Sequence, residues 1–150
     1  MGSTPQRGTL MLAGLCVLVL TCGASAATPD DGARPIAVEA FLPPGFVTDG
    51  SQGYLPQLQQ ALDAAGDTGG TVVFPAMTYR LDRAEGLRVR SNTTLILHGA
   101  RFVFTDDLAG DGQAFRGDDV RNVRVEGGMV IGQRGSWDPG TNIAGLRLYG

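Results

Sequence analysis

The chain of 150 residues has no lysine, three glutamates, one histidine (His98), one tryptophan (Trp137) and two cysteines, Cys16 and Cys22. Each scarcity excludes something. Twelve basic residues against 15 acidic ones leave a formal charge of −3, so no basic field is available to hold a phosphate backbone and a nucleic-acid module is disfavoured. Without Lys, and with few Glu, the usual residues of charged surface helices and coiled coils are missing. A hydrophobic fraction of 43% is too high for a disordered chain, and the 23 glycines follow no collagen period. No G-x-S-x-G, phosphate loop or zinc-spaced cluster occurs. What is present is a β-rich, turn-rich chain of at most one domain.

The N-terminus reads as a leader. Arg7 precedes an uncharged run from Leu10 to Leu20, followed by small residues at Ala24 and Ala26. These are the three parts of a secretory signal peptide, here residues 1–26. The run falls short of the roughly 20 residues a membrane span needs, and a retained anchor is the alternative. The expectation is a secreted protein, extracellular or periplasmic, with no membrane contact after cleavage. Both cysteines lie in the leader, so residues 27–150 carry no disulfide framework and no Cys-based metal site. Residues 27–44, with Thr28-Pro29-Asp30-Asp31-Gly32 and Leu42-Pro43-Pro44, read as an extended linker ahead of a domain at 45–150.

One helix is predicted. Leu55, Leu58, Ala61, Leu62 and Ala65 recur at helical spacing, Pro56 can sit in the first turn, and Gly66 supplies the stop. At about ten residues the helix is marginal alone, so its apolar stripe must lie on something. After Gly70 the chain is short apolar or alternating runs separated by Gly, Asp and Asn: 71–74, 79–81, 87–89, 95–97, 101–104, 123–125, 129–131 and 146–148. Strands this short suit sandwiches, barrels and solenoids alike. A repeat chooses among them. Residues 94–103 align with 122–131 at an offset of 28, placing Gly99 on Gly127 and Ala100 on Gly128, and the same offset takes Leu87 to Phe115. Self-similarity at such a period marks a stacked array, and strand, Gly corner, strand within one period describes a coil of a parallel β-helix. The helix just upstream is then placed to cover the first coil's open end.

The segments Val47-Thr48-Asp49, Leu58–Ala65, Gly69-Gly70-Thr71-Val72-Val73-Phe74-Pro75 and Tyr79-Arg80-Leu81 resemble the start of the pectate-lyase-superfamily domain, the rhamnogalacturonase/epimerase-like branch of the right-handed parallel β-helix proteins. Residues 91–100 resemble that family's next coil; 122–128, with Ile131-Gly132-Gln133 and Trp137, resemble the one after. The resemblance implies an all-β, right-handed parallel β-helix with an N-terminal capping helix. It also implies action on polysaccharide by lysis, hydrolysis or epimerisation, with calcium as the only cofactor suggested. Gly50-Ser51-Gln52-Gly53-Tyr54 and Pro56 depart from the acidic-polar lead-in of many members. Family members carry their catalytic residues on later, central coils. The expectation is therefore an incomplete piece without its catalytic residues, whose open C-terminal coil edge offers a route to self-association. Whether the chain is an enzyme stays open, and the alternative is a non-catalytic carbohydrate-binding or interaction module.

Asp106-Asp107, with Asp111 nearby, and Asp118-Asp119 are the paired carboxylates available for acid–base or calcium chemistry. Both sit beside Gly, where Asp is favoured as a turn residue, and no metal site is assigned. His98, next to Gly99, reads as a surface residue. Trp137 and Arg134 lie in the loop between Ile131 and Ile143 and are the candidate sugar contacts, the ring by stacking and the guanidinium by bidentate bonds. Packing of Trp137 against the domain is the competing reading.

Overall fold

The computed structural model describes residues 34–66, 69–107, 110–132 and 137–149. The expected leader and residues 27–33 of the expected linker lie outside them. The rest of that linker is structured: β1 (Ile36–Ala37) pairs with Val72 and Val73, and a 3-10 turn, Val38–Phe41, follows. Val38 and Leu42 are buried in the core, so this part of the stretch packs as the domain does.

Among the described residues the architecture is mostly β, with every strand pair parallel and one α-helix. The strands are β2 (Asp49–Gly53), β3 (Gly70–Val73), β4 (Thr78–Leu81), β5 (Leu87–Arg88), β6 (Thr93–Phe104), β7 (Gly112–Asp118), β8 (Arg124–Ile131) and β9 (Ile143–Tyr149). The first half of β6 pairs with β3 and its second half with β4, so β6 turns a corner that β3 and β4 make with a loop. β8 then stacks on both halves of β6, while β5, β7 and β9 stack as a second sheet. The pairing order is that of successive rounds of chain laid one on the next.

Alternation explains the core. Tyr79, Leu81, Leu95, Leu97, Phe102 and Phe104 are buried and their neighbours in sequence face outward, while Phe115 is buried next to an equally buried Ala114. Phe102 stacks on Tyr79 with ring centroids 5.0 Å apart and meets Phe115 edge-on at 4.9 Å, joining strands of both sheets through one aromatic cluster. Burial pushes the Tyr79 phenol well above its ordinary pKa, with a smaller contribution from Glu39, and its hydroxyl donates to the Pro75 carbonyl at 3.0 Å.

The predicted helix is α1 (Leu55–Ala64), with Pro56 in its first turn, Gly66 at φ +60° just beyond its end, and Leu55, Leu58, Ala61 and Leu62 buried. It packs on β1, β5 and the 3-10 turn, at the start of the stack. Gln59 shows how it closes that end: its Nε2 donates to the Arg88 carbonyl at 3.0 Å and its Oε1 accepts from the Arg88 N–H at 2.8 Å. The side-chain amide thereby occupies the place of a missing strand beside β5.

The repeat is real but its register needs correcting. The offset of 28 holds for Leu87 on Phe115 and for 101–103 on 129–131, whereas 94–97 pair with 124–127 at an offset of 30. The corner explains the change, because β6 rounds it with His98, Gly99 and Ala100 while β8 rounds it with Gly128 alone. Gly127 and Gly128, at φ +75° and +85°, have room for no Cβ: one would meet the His98 imidazole and the other the Leu97 side chain. Gly99 therefore does not sit on Gly127. The shorter corner also brings Asn122 over Asn92, both left-handed at φ +57° and +60°, and Asn122 Nδ2 donates to Asn92 Oδ1 at 2.9 Å.

Candidate functional site

A groove of about 630 Å³ runs along the outer face of β2, β4 and the second half of β6, within the usual range for small-molecule clefts. The strands that build the core also build the groove: Tyr79 and Leu81 point in, so Thr78 and Arg80 point out, and Phe102 and Phe104 point in, so Arg101 and Val103 point out. Thr78 lies beside Arg101 and Arg80 beside Val103. Asp49 on β2 and Asp106 and Asp107, in the turn after β6, complete the polar lining. Gly50, at φ +82°, brings β2 against Thr78 so closely that a Cβ would come within 2.6 Å of Thr78 Cγ2.

The groove carries charges of both signs. Among the described residues the Arg80 and Arg101 guanidinia make no hydrogen bond and no ion pair. The side chain and backbone of Ser51 hold Asp49 below the usual carboxylate range. Thr105, the Asp107 backbone and, more weakly, Arg80 do the same for Asp107. Thr105 Oγ1 is buried and makes no hydrogen bond, so it acts on Asp107 as a nearby polar group. Both carboxylates are ionised at neutral pH.

The sequence candidates are dispersed. Arg134 lies outside the described residues. Trp137 is part-buried: its Nε1 donates to the Thr105 carbonyl at 3.1 Å and its ring meets Phe104 edge-on at 6.1 Å. Trp137 also borders a second depression, of about 650 Å³, with Gly132 and Thr141. Through Thr105, which lines the groove, Trp137 supports the groove's end. The two Asp pairs part company. Asp106-Asp107 joins the groove, while Asp118-Asp119 lines a separate hollow of about 490 Å³, where Asp118 pairs with Arg116 at 3.0 Å and Asp119 adopts φ +51°. Asp111 accepts from the Asn142 N–H at 2.8 Å, tying one round to the next. His98 is exposed at the corner, 4.0 Å from Glu126. Among the described residues no three His, Cys, Asp or Glu side chains converge as a metal-ion set, and no helix is long and apolar enough to cross a membrane.

Arg80, Arg101 and Asp49 were not singled out by sequence. The available signal was the alternation itself: Thr78-Tyr79-Arg80-Leu81 and Arg101-Phe102-Val103-Phe104 both place arginine on the face opposite the aromatics. Comparisons with protein-family models, curated proteins and solved structures find no match.

Proposed function

We propose that the chain is an exported, carbohydrate-active protein built as a right-handed parallel β-helix, akin to the polysaccharide lyases, hydrolases and epimerases of the branch its sequence resembles. Its ligand is a saccharide lying in the outer groove. Handedness follows from a general rule, since crossovers between parallel strands of one sheet are right-handed in nearly all cases. The observation that carries the functional reading is the pair of guanidinia, Arg80 and Arg101, beside Asp49, Asp106 and Asp107 on an open face. Arginine binds carboxylates bidentately, and carboxylates accept from sugar hydroxyls.

Ionised Asp49 and Asp107 are acceptors for sugar hydroxyls, which a binding module, the second reading, requires, and neither is suited to be the general acid of a hydrolase. A general acid needs a raised pKa to hold its proton at neutral pH, and both are lowered. The test is affinity electrophoresis against acidic and neutral polysaccharides, with absorbance of an unsaturated product monitored in parallel. Retardation by an acidic glycan, weakened about tenfold or more by Arg80→Ala or Arg101→Ala, supports the groove. No retardation by any glycan refutes the reading, and product formation would restore catalysis.

A further inference from the structure

We propose that the hollow between Arg88–Asn92 and Asp118–Arg121 binds a doubly charged tetrahedral oxyanion, either a phosphate monoester or the free ion. None of its lining residues lines the outer groove, so the inference does not depend on the carbohydrate reading.

The second sheet stacks arginine on arginine. Leu87, Phe115 and Leu146 lie in register on β5, β7 and β9, and the residues after them, Arg88, Arg116 and Arg147, lie in register on the opposite face. Neighbouring strands are about 4.8 Å apart, and like charges directly opposite are destabilising. Arg90 and Arg121 add two more where the chain leaves β5 and β7 for the long sheet. Few carboxylates offset them. Asp118 forks onto Arg116 with contacts of 3.2 and 3.0 Å, and Asp63 holds Arg90 at 3.4 Å. Among the described residues the Arg88 and Arg121 guanidinia make no hydrogen bond and no ion pair, and the Arg147 guanidinium donates to the Tyr149 hydroxyl at 3.5 Å without meeting a carboxylate. Against these three stands Asp119, so this face carries a surplus of two positive charges on a chain whose formal charge is −3.

The surplus is presented at the hollow. Its volume is about 490 Å³, with Arg88 and Arg90 from one round and Arg121 from the next. Arg116 and Arg147 each reach two residues along their strands, to Asp118 and Tyr149, which carries their charge toward this corner. The two rounds are tied together before a ligand arrives: the Asn92 N–H donates to the Arg121 carbonyl at 2.8 Å, the Arg121 N–H to Ser91 Oγ at 3.1 Å and Asn122 Nδ2 to Asn92 Oδ1 at 2.9 Å. A site fixed in this way loses little entropy on binding. Charge selects the ligand, because a surplus of two is balanced by a dianion and only half balanced by a carboxylate. Shape agrees, since guanidinia borne on separate rounds meet oxygens spread over a tetrahedron more readily than two coplanar ones. Asp119 opposes any anion there, and this gives the test a second sign.

Isothermal titration at about pH 8, where a phosphate ester is a dianion, tests the site at an ionic strength held constant with sodium chloride. Inorganic phosphate, inorganic sulfate and glucose 6-phosphate are the probes, and acetate is the carboxylate control. One ion per chain is expected, with phosphate and sulfate bound about tenfold or more tightly than acetate. Arg88→Gln and Arg121→Gln should each weaken binding about tenfold with unchanged far-ultraviolet dichroism, while Arg80→Gln, in the outer groove, leaves it unchanged. Asp119→Asn, which keeps a residue tolerant of the left-handed region, should tighten binding about threefold by removing the opposing charge. A damaged fold does not produce that gain, so this variant decides the matter even if an arginine variant fails to fold. Tighter binding of glucose 6-phosphate than of inorganic phosphate identifies an ester as the ligand, and the reverse identifies the free ion. No binding of any probe at about 10 mM, acetate bound as tightly as phosphate, or affinity indifferent to Arg88, Arg121 and Asp119 would overturn the proposal.

Discussion

Replacing Phe102 with alanine removes the ring at the centre of the aromatic cluster. The side chain is fully buried and touches rings from three other places in the chain: Tyr79 on β4, Phe74 in the turn after β3, at 5.7 Å, and Phe115 on β7. Buried Phe→Ala substitutions cost about 3–5 kcal/mol through lost transfer energy and the cavity left behind. The high end applies here, because parallel strands hydrogen-bonded on both sides of Phe102 cannot close in on the gap. Against a total stability of about 5–15 kcal/mol for a domain of this size, the variant should be marginal, with a melting temperature lower by roughly 10–20 °C. Urea unfolding, followed by Trp137 fluorescence and far-ultraviolet dichroism at one fixed protein concentration, measures the loss. Phe102→Leu, closer in volume, should cost about 1.5 kcal/mol or less, and Val47→Ala, on the surface, about 0.5 kcal/mol or less. A loss below about 1 kcal/mol for Phe102→Ala would refute the enclosed aromatic core and the stacking of β4, β6 and β7 around it.

Gly86, at φ +61°, leads into β5, and a Cβ there would overlap the carbonyl oxygens of Gln113 and Ala114. Gly86→Ala should therefore cost more than about 2 kcal/mol, since left-handed strain alone accounts for about 1–2, and a thermal shift assay showing no change would refute the β5–β7 stacking. Asp49 and Asp107 have folded pKa values below the ordinary 3.8. Their contribution to stability is thus present above that value and is lost as pH falls through the lower folded values. The Asp49→Asn, Asp107→Asn double variant should lose less stability than the wild type between about pH 4 and about pH 2, measured by urea midpoints, and parallel pH profiles would refute the assigned contacts.

Local order carried the sequence reading furthest. The helix was legible to within a residue of its end because its apolar spacing, its first-turn proline and its terminal glycine all act within one element. Six of the strands were legible as short apolar or alternating runs for the same reason, whereas β1, β2 and β7 were not, since β2 and β7 are rich in Gly and polar residues and β1 is two residues long. Register was not, because an offset is a property of two segments: the two residues lost at the Gly127-Gly128 corner shift half of β8 relative to the uniform repeat. The Asn92–Asn122 contact was hidden by that shift. Residues 36–42 were read as linker on the strength of flanking prolines, yet Val38 is buried and the 3-10 turn that carries it packs on α1, which no local pattern announces.

The candidate site divides in the same way. Asp106-Asp107 and Trp137 stood out as rare or paired residues, but the groove is made by Arg80 and Arg101, ordinary members of two strands 23 residues apart in register. The sequence by itself determined the β-rich composition, the helix, the glycine corners and the alternation that separates an inner face from an outer one, since each follows from steric and burial preferences of neighbouring residues. Only the tertiary structure decided which outer residues share a face and that Trp137 turns inward to Thr105. Those outcomes depend on how far each round advances before it stacks, which is set by corner length and packing between distant segments.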